Sequence, residues 1–480
     1  MTAVTQATRE FGYHTPVPFQ SKLRWLDLGV FSAYLAAVFI AVAHHEPWAD
    51  EAQSWLVARD IPYWKMIFSQ MRYENSPGLW QTLLWVAQHV FHAPYPAMNY
   101  IGATLAAAGA GVLIFCAPFP RPVRYLMSSS YYVAYQYAVV ARPYVMLLLL
   151  GGLAAIFYRR RSPILFAIMI ALLCGSSVHG GILAAAMSLG AAWHVVIKRD
   201  WPIGQSRVRY LVAAAIVVTS GIMLAVVVRP PADAGGELLV AHKFANFETL
   251  TSLLSHVITE PWAVGACLLL AFTVFAVRSD DPIVFVASVG GLFAFEWIII
   301  ATPQHVGAIV VALIVSLWIA WPQEKRWHPE LAITSLALGA MFAIQTVWAV
   351  NAWRHDYVGP YSGSKDAAIY LKQVGADHKR IFGFCYPMVA IQAYFDHSIF
   401  VNWPTAYLHA TKAEEAGACL LEPQPTYDYL VTPVQEEGSD PYEAALRARG
   451  YVPVHVSPGM IFFKHGMSKT ETFVIYRRNF

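Results

Sequence analysis

The chain has 480 residues, of which 57% are hydrophobic and only 13% are charged. Its mean hydropathy is +0.45, and its formal net charge of +3 comes without a long run of lysine or arginine. These values indicate a polytopic membrane protein, and they argue against a nucleic-acid partner.

Twelve apolar segments are candidates for membrane crossings. The first follows 24 polar residues, and we interpret it as a retained membrane helix and not as a cleaved signal peptide. The segments are 25–43, 79–92, 98–116, 125–141, 144–157, 163–179, 181–197, 208–228, 261–277, 282–300, 305–321 and 331–350. Several are short for a bilayer, so some of them must be tilted, broken or re-entrant.

Four short basic stretches set the orientation. They are "SKLR" before the first segment, "YRRRS" after 157, "IKRD" after 197 and "EKRWH" after 321. Placing all four in the cytoplasm satisfies the tendency of basic loops to stay inside. The N-terminus is then cytoplasmic and the part after residue 350 is extracytoplasmic, which requires an odd number of crossings. Because twelve is even, we expect that one crossing between 79 and 141 is missed or wrongly assigned. The total is then twelve to thirteen membrane helices.

Residues 351–480 form a second, water-exposed domain. They hold 25 of the 63 Asp, Glu, Lys and Arg residues of the chain. Strand and helix patterns alternate there, which predicts a small α/β domain after a membrane module of residues 1–350. Strands are predicted over 380–385, 398–403, 427–433, 451–457 and 460–465, and helices over 364–375, 387–395 and 441–450.

The five cysteines show neither metal-binding spacing nor a disulfide framework. A bridge between Cys385 and Cys419 is possible if the C-terminal domain is extracytoplasmic. We expect two free thiols there instead.

Residues 44–78 form a polar loop that is rich in Trp and Tyr. Asp50 and Glu51 can begin a helix, because acidic side chains favour the positive end of the helix dipole. That helix should end near Arg59, and a second amphipathic helix over 63–71 should lie flat at the membrane surface. Ser76 is expected to cap the helix that follows. The simplest alternative is that the two carboxylates only stabilise the N-terminus of this helix.

Three stretches together resemble the GT-C fold of bacterial membrane glycosyltransferases: "WADEAQSW" (48–55), "ENSPGLW" (74–80) and "ARPYVMLLLL" (141–150). This superfamily includes protein O-mannosyltransferases, lipid A aminoarabinose transferases and rhizobial lipopolysaccharide-core transferases. The resemblance covers about residues 1–350 as an architecture, and many relatives also carry an extracytoplasmic C-terminal domain.

The resemblance implies roles for particular residues. The acidic residue at the start of the first external loop acts as catalytic base or orients the acceptor, which corresponds to Asp50, and Glu51 matches the second acidic position. The donor is a polyprenyl-phosphate sugar whose phosphate is held by basic side chains. Arg142 is the first choice for that phosphate, because guanidinium offers a planar fork to phosphate oxygens. Otherwise Arg142 is an ordinary interfacial arginine that reaches water.

Further candidates are weaker. Lys65, Arg59 and Arg72 could contact the donor phosphate, or could only form the polar face of surface helices. Glu74 could support Asp50, touch the acceptor or cap the next helix. The substrate-binding candidates among the histidines are His45, His179 and His305. A divalent metal is possible at the external histidines, but no pair has helical metal-ligand spacing, and we assign no metal ligand.

The resemblance, together with these residues, implies an inverting glycosyltransferase that moves a hexose or pentose from a polyprenyl-phosphate donor to a glycan, lipid or protein acceptor. It would act at the outer face of the bacterial cytoplasmic membrane. No Gly-rich phosphate loop is present, which agrees with a lipid donor. The alternatives are a transporter or flippase for lipid-linked sugars and a non-catalytic scaffold of the same fold. A transporter is disfavoured because the sequence shows no internal repeat.

Overall fold

The computed structural model describes residues 25–201, 207–234, 246–299, 302, 304–322, 329–403, 405–409, 411, 427–434, 440–464 and 467–479. In chain order its helices are α1 (Trp25–His44), α2 (Ala49–Asp60), α3 (Tyr63–Phe68), α4 (Leu79–His89), α5 (Ala97–Cys116), α6 (Arg121–Ser129), α7 (Leu147–Arg159), α8 (Pro163–Ser176), α9 (Val178–Ala192), α10 (Arg207–Val227), α11 (Phe247–Val257), α12 (Trp262–Val277), α13 (Pro282–Phe285), α14 (Gly291–Ile298), α15 (Gly307–Ala320), α16 (Pro329–Val358), α17 (Ser364–Gln373), α18 (Met388–Gln392) and α19 (Glu443–Ala448).

Five helical segments in the described part of the chain are long and apolar enough to cross a membrane alone: α1, α5, α10, α16 and Val178–Lys198, which includes α9. The pair α11 and α12 is a further candidate that bends by 72° at its break. Shorter apolar helices cover Pro143–Arg159, Pro163–Ser176, Pro282–Ile298 and Gly307–Ala320. A bilayer needs about 20 residues of regular helix, so the short helices depend on neighbouring protein, as the sequence predicted. The protein is a polytopic helical membrane protein.

The predicted crossing at 79–92 instead forms α4, which packs beside α2. The end of α1 and the start of α5 lie at the same end of the bundle, because His45 and Asn99 both contact Glu51. The chain therefore leaves the bundle and returns to it at one end, and α4 does not cross. Without this segment, eleven of the twelve predicted segments remain candidates for crossings in the described part of the chain. Eleven is odd, as the basic loops require.

The crossing predicted over 125–141 is not one regular helix. After α6 the chain forms a π-helical turn, Tyr132–Gln136, and then a 3-10 turn, Pro143–Met146, that leads into α7. All residues from 131 to 141 are buried, so neighbouring helices cover the irregular backbone. This break carries Arg142 to the same end of the bundle at which α2 begins.

Close helix packing surrounds α15, whose residues are all buried. Small residues permit this packing, as is typical of membrane helices. A Cβ on Gly151 of α7 would lie 2.9 Å from Val315 of α15, and one on Gly109 of α5 would lie 2.9 Å from the Leu149 backbone nitrogen. The core of the membrane module therefore lies where α5, α7 and α15 meet.

The described part of the C-terminal domain contains six strands: β1 (Ile381–Gly383), β2 (Tyr429–Pro433), β3 (Tyr451–Ser457), β4 (Met460–Phe463), β5 (Met467–Thr470) and β6 (Phe473–Arg478). Four strands form one sheet in the order β1-β2-β6-β3, with β1 parallel to β2 and β6 antiparallel to both of its neighbours. Strands β4 and β5 form a separate hairpin. The predicted small α/β domain is confirmed.

Three local predictions for the C-terminal part differ from the structure. Helix α16 continues to Val358, beyond the predicted boundary at residue 350. The strand predicted over 398–403 is reduced to a single bridge between Phe400 and Ile381. Cys385 belongs to a disulfide, so the expected free thiol there is wrong. Cys419 lies outside the described residues.

The β4–β5 hairpin docks onto the membrane module. The Phe463 ring packs edge-on against Trp48, with centroids 6.1 Å apart. The backbone N–H of Lys464 donates to the Tyr131 hydroxyl at 2.9 Å, and Lys464 Nζ contacts Glu260 at 2.7 Å. These contacts fix one edge of the C-terminal domain over the start of α2.

The predicted loop helices are present with changed details. Helix α2 includes Asp50 and ends before Pro62, as expected. The second predicted helix divides into α3 and a 3-10 turn, Gln70–Arg72. Trp64 is exposed whereas Met71 is buried, so the predicted apolar face does not lie in one plane. The expected Ser76 cap is wrong, because α4 begins only after Gly78, whose φ of 93° suits a residue without a Cβ.

Candidate active site

The N-terminus of α2 is fixed by a buried chain of charged side chains. His45 Nε2 lies 3.0 Å from Glu51, and His45 Nδ1 lies 3.0 Å from Asp356 of α16. Burial lowers the pKa of His45, but the two carboxylates outweigh burial and raise that pKa to about 10. The imidazole is therefore a cation at neutral pH and ties α1, α2 and α16 together.

Glu51 also holds the segment that carries Arg142. Its Oε1 accepts hydrogen bonds from the Asn99 amide at 2.9 Å and from the Ala141 N–H at 2.6 Å. Its Oε2 accepts a hydrogen bond from the Trp48 N–H, besides the contact with His45. With four partners and no exposed surface, Glu51 lies behind the site, and its contacts are those of a positioning residue.

Asp50, in contrast, is partly open to solvent. Its Oδ2 lies 2.9 Å from Arg142 Nη1, and its Oδ1 accepts a hydrogen bond from the Tyr386 hydroxyl at 3.2 Å. Burial and the Asp50 charge raise the pKa of Tyr386 well above its ordinary value, so the phenol keeps its proton and remains a donor. Three distant parts of the chain thus meet at one carboxylate.

A cavity of about 500 Å³ opens beside Asp50, between the start of α2 and the C-terminal domain. Its polar lining comes from both sides and includes Asp50, Tyr386, Lys469, Thr470 and Glu471. This volume lies within the range of small-molecule sites, roughly 300–1,000 Å³. The cavity can therefore hold a polar group against Asp50.

Glu471 is a residue of this cavity that sequence reasoning missed. It follows β5, and its Oε1 accepts a hydrogen bond from the Ala49 N–H at 3.1 Å, which satisfies a free donor at the start of α2. Burial and the nearby charge of Asp50 raise the pKa of Glu471 to about 8. Ala49 and Glu471 are 422 positions apart, and no sequence motif signals their contact.

Arg142, the partner of Asp50, lies beside an aromatic and histidine cluster. Its guanidinium carbon lies 5.9 Å from the centre of the Trp48 ring and 5.7 Å from that of Tyr144. Tyr144 meets His179 and His305 edge-on, with centroids 5.3 and 5.6 Å away, and the two imidazoles are 5.7 Å apart. Three residues predicted for the donor pocket therefore gather around one tyrosine.

The two histidines have different partners. His179 Nε2 lies 2.5 Å from the buried carboxylate Glu296, and His305 Nδ1 lies 2.6 Å from the Thr302 hydroxyl. The Thr302 contact fixes the His305 ring on one side of Tyr144.

Glu74 lies within the loop at some distance from this cluster. Its Oε1 accepts hydrogen bonds from the side-chain amides of Gln53 at 2.8 Å and Gln70 at 2.9 Å. Burial raises the pKa of Glu74. Because the two glutamines occupy it and it is not among the described residues that line the Asp50 cavity, Glu74 holds α2 against the following turn.

The three weaker phosphate candidates are separated from Arg142. Lys65 borders a second, smaller cavity of about 220 Å³. Arg59 pairs with the adjacent Asp60 at 2.7 Å, and Arg72 donates to the backbone carbonyl of Arg229 at 3.1 Å. Arg142 differs from them because it pairs with Asp50, which lines the first cavity.

No set of metal ligands is present in the part of the chain that the structure describes, where no group of three or more His, Cys, Asp or Glu side chains could hold an ion. Both nitrogens of His45 are already engaged by carboxylates.

Glu51→Ala is expected to lower the free energy of unfolding by about 3–5 kcal/mol, because it leaves the His45 cation and buried N–H groups without the carboxylate. Thermal unfolding of the purified protein in detergent micelles measures this. Asp60→Ala on the same helix is the control, since Asp60 pairs with Arg59 at a partly exposed position, and we expect a change below about 1 kcal/mol. Equal stability of the two variants would contradict a positioning role for Glu51.

Comparison with known proteins gives a structural match only. No protein-family model and no curated protein matches the chain. The crystal structure of ArnT from Cupriavidus metallidurans bound to undecaprenyl phosphate superposes with a TM-score of 0.55 at 11% identity, over 94% of this chain and 97% of that chain. The apo state of the same protein gives a TM-score of 0.50 at 12% identity over the same shares. ArnT is a GT-C aminoarabinose transferase, and the present chain has the GT-C fold that its three motifs predict.

Proposed function

We propose that the protein is an inverting glycosyltransferase. It moves one hexose or pentose from a polyprenyl-phosphate donor to a glycan, lipid or protein acceptor at the outer face of the bacterial cytoplasmic membrane. The observation that carries this proposal is the contact between Asp50, which lines the cavity, and Arg142, 2.9 Å away. An acid that can orient an acceptor thus stands beside a cation that can bind a leaving phosphate.

Arg142 binds the donor phosphate in this proposal. Guanidinium forms two parallel hydrogen bonds with phosphate oxygens, and it stabilises the charge that develops on the phosphate as the sugar leaves. The neighbouring rings of Trp48 and Tyr144 hold the guanidinium in place through cation–π contacts. His179 and His305 lie on the other side of Tyr144 and form the wall of the donor pocket. The similarity to a structure that contains undecaprenyl phosphate supports a lipid donor.

Asp50 orients the acceptor. An acceptor hydroxyl in the cavity can donate a hydrogen bond to Asp50, which places its oxygen for attack on the sugar. Attack from the cavity side and departure of the phosphate on the Arg142 side invert the configuration at the anomeric carbon. Holding both partners in this geometry converts a bimolecular step into an intramolecular one.

Two arguments support an extracytoplasmic position of the site. Eleven crossings would place the two ends of the membrane module on opposite sides of the bilayer, and the basic loops assign the N-terminal side to the cytoplasm. Cys385, which directly precedes Tyr386, is disulfide-bonded, and disulfides persist in oxidising compartments. The disulfide thereby favours an extracytoplasmic C-terminal domain.

Turnover tests the proposed function. The purified protein in lipid nanodiscs is incubated with a panel of undecaprenyl-phosphate hexoses and pentoses and with a lipid and glycan extract of bacterial envelopes. We expect release of undecaprenyl phosphate together with transfer of the sugar. If the protein in closed vesicles only moves the intact donor between leaflets, the proposal is wrong and the flippase alternative is correct. Binding of undecaprenyl phosphate without release or movement would indicate a scaffold.

A further inference from the structure

We propose that Glu471, from the C-terminal domain, is the proton acceptor of the transfer reaction and that Asp50 orients the acceptor hydroxyl beside it. This inference deepens the proposed function and rests on it. It assigns the chemistry to two carboxyl groups from opposite sides of one cavity, and it gives the C-terminal domain a direct part in catalysis.

Asp50 is poorly placed to take the proton itself. One of its oxygens lies against Arg142, and the other accepts the Tyr386 hydroxyl. A proton on Asp50 would neutralise the charge that pairs with the guanidinium and would compete with the phenol. Asp50 can still accept a further hydrogen bond through a remaining lone pair, because an ionised carboxylate offers about four acceptor positions.

Glu471 has the geometry that a proton acceptor needs. Its Oε1 is held by the Ala49 N–H, which fixes the carboxyl group one residue from Asp50. Its Oε2 is buried and has no hydrogen-bond partner of normal geometry among the described residues, although the nearby Ser362 hydroxyl lowers the pKa of the carboxyl group and so opposes the effect of burial. The residue is only 5% exposed, yet it lines the same cavity as Asp50. A buried oxygen in this position can accept a proton from a group that enters the cavity.

The proposed step balances without another reactant. The acceptor oxygen forms a bond to the anomeric carbon while the bond from that carbon to the phosphate oxygen breaks. The bonding electrons leave with undecaprenyl phosphate, next to Arg142. The acceptor proton passes to Oε2 of Glu471, which later returns it to water.

Several titratable groups face Glu471. Asp50 does so from α2 and Lys469 from β5, and its other neighbours are Tyr95, Tyr361 and Tyr394. Tyr386 lines the same cavity and donates to Asp50. Burial raises the pKa of all four tyrosines above the ordinary value, so they stay neutral near neutral pH. Burial and the charge of Asp50 raise the pKa of Glu471 to about 8 while Lys469 opposes them. A base near the working pH is favourable for proton transfer.

The direction of the pH dependence follows from this role. A base acts only in its unprotonated form, and a raised pKa keeps Glu471 protonated below about pH 8. We therefore expect kcat/KM to rise with pH through about 8 and then to level off.

Glu471→Gln tests the inference, because the amide oxygen of glutamine can still accept the Ala49 N–H. Release of undecaprenyl phosphate from the active sugar donor is measured between about pH 6 and 9. We expect kcat to fall by about 10²-fold or more with little change in KM for the donor, and the rise through pH 8 to disappear. Glu471→Asp should recover part of that rise. Glu443→Gln, at an exposed position of α19, is the control and should retain the wild-type profile.

The results separate this inference from the proposed function. A wild-type protein that binds undecaprenyl phosphate but releases none from any sugar donor overturns both. A wild-type protein that turns over, with a Glu471→Gln variant that keeps both its rate and the rise through pH 8, overturns the inference alone. A variant that loses rate but keeps that rise would show that Glu471 only supports α2, and it would overturn the proton-acceptor role as well.

Discussion

Asp50→Asn is expected to abolish sugar transfer, with a loss of about 10³-fold or more in kcat. Asparagine is nearly the same size and can still accept the Tyr386 hydroxyl, but it removes the charge that attracts the acceptor hydroxyl. Donor binding should persist or tighten, because Arg142 loses the carboxylate that now competes for it at 2.9 Å. Steady-state release of undecaprenyl phosphate and equilibrium binding of undecaprenyl phosphate measure the two effects separately.

Asp60→Asn is the matched control, since Asp60 ends the same helix but pairs with Arg59 away from the cavity. It should retain wild-type turnover. Full activity of the Asp50→Asn variant would rule out a role of Asp50 in orienting the acceptor. Equal losses of turnover in both variants would indicate a general effect on α2.

Replacing Arg142 should have an effect of similar size on the donor side. Arg142→Ala removes the guanidinium from the phosphate position, and we expect a loss of about 10²–10³-fold in kcat together with weaker binding of undecaprenyl phosphate. Arg142→Lys should recover only part of this, because an ammonium group keeps the charge but loses the planar fork. Titration of undecaprenyl phosphate into the purified variants measures its dissociation constant.

Arg72→Ala is the control for the arginine series. Arg72 also belongs to the loop region, but its guanidinium contacts the Arg229 carbonyl. We expect nearly unchanged donor binding. If Arg72→Ala binds undecaprenyl phosphate more weakly than Arg142→Ala does, the phosphate lies near Arg72, and the assignment of Arg142 is wrong.

The sequence predicted the elements that depend on local pattern. The long apolar runs gave α1, α5, α10 and α16, and the acidic pair at residues 50–51 marked the first turn of α2. The motif resemblance brought Asp50 and Arg142 into one hypothesis, and the structure places them 2.9 Å apart. These successes share one cause, because periodicity, length and helix-start chemistry are readable within a few consecutive residues.

What the sequence did not predict depends on contacts between distant residues. An apolar run as short as 79–92 is compatible with a helix packed against other protein segments and with a short membrane crossing. Only its packing on α2 decides between the two. The burial of Glu51 depends on His45, Asn99 and Ala141, which come from three parts of the chain. Glu471 enters the site only because the β4–β5 hairpin docks over α2. None of these arrangements leaves a local pattern.

Glu51 illustrates how the structure refines a motif. Two adjacent acidic residues look equivalent in sequence, but successive residues of a helix point in directions about 100° apart. Asp50 faces the cavity, whereas Glu51 faces inward and is completely buried. Substitutions of the two should therefore differ in kind: Asp50→Asn should impair turnover and leave stability intact, and Glu51→Ala should lower stability.

A structure of the protein with undecaprenyl phosphate bound would show which basic side chain holds the donor phosphate. We predict that the phosphate lies against the Arg142 guanidinium, with Tyr144, His179 and His305 around it and the Asp50 cavity still open on the opposite side. Density for the phosphate beside Lys65, Arg59 or Arg72, with Arg142 still paired to Asp50, would contradict the proposed site.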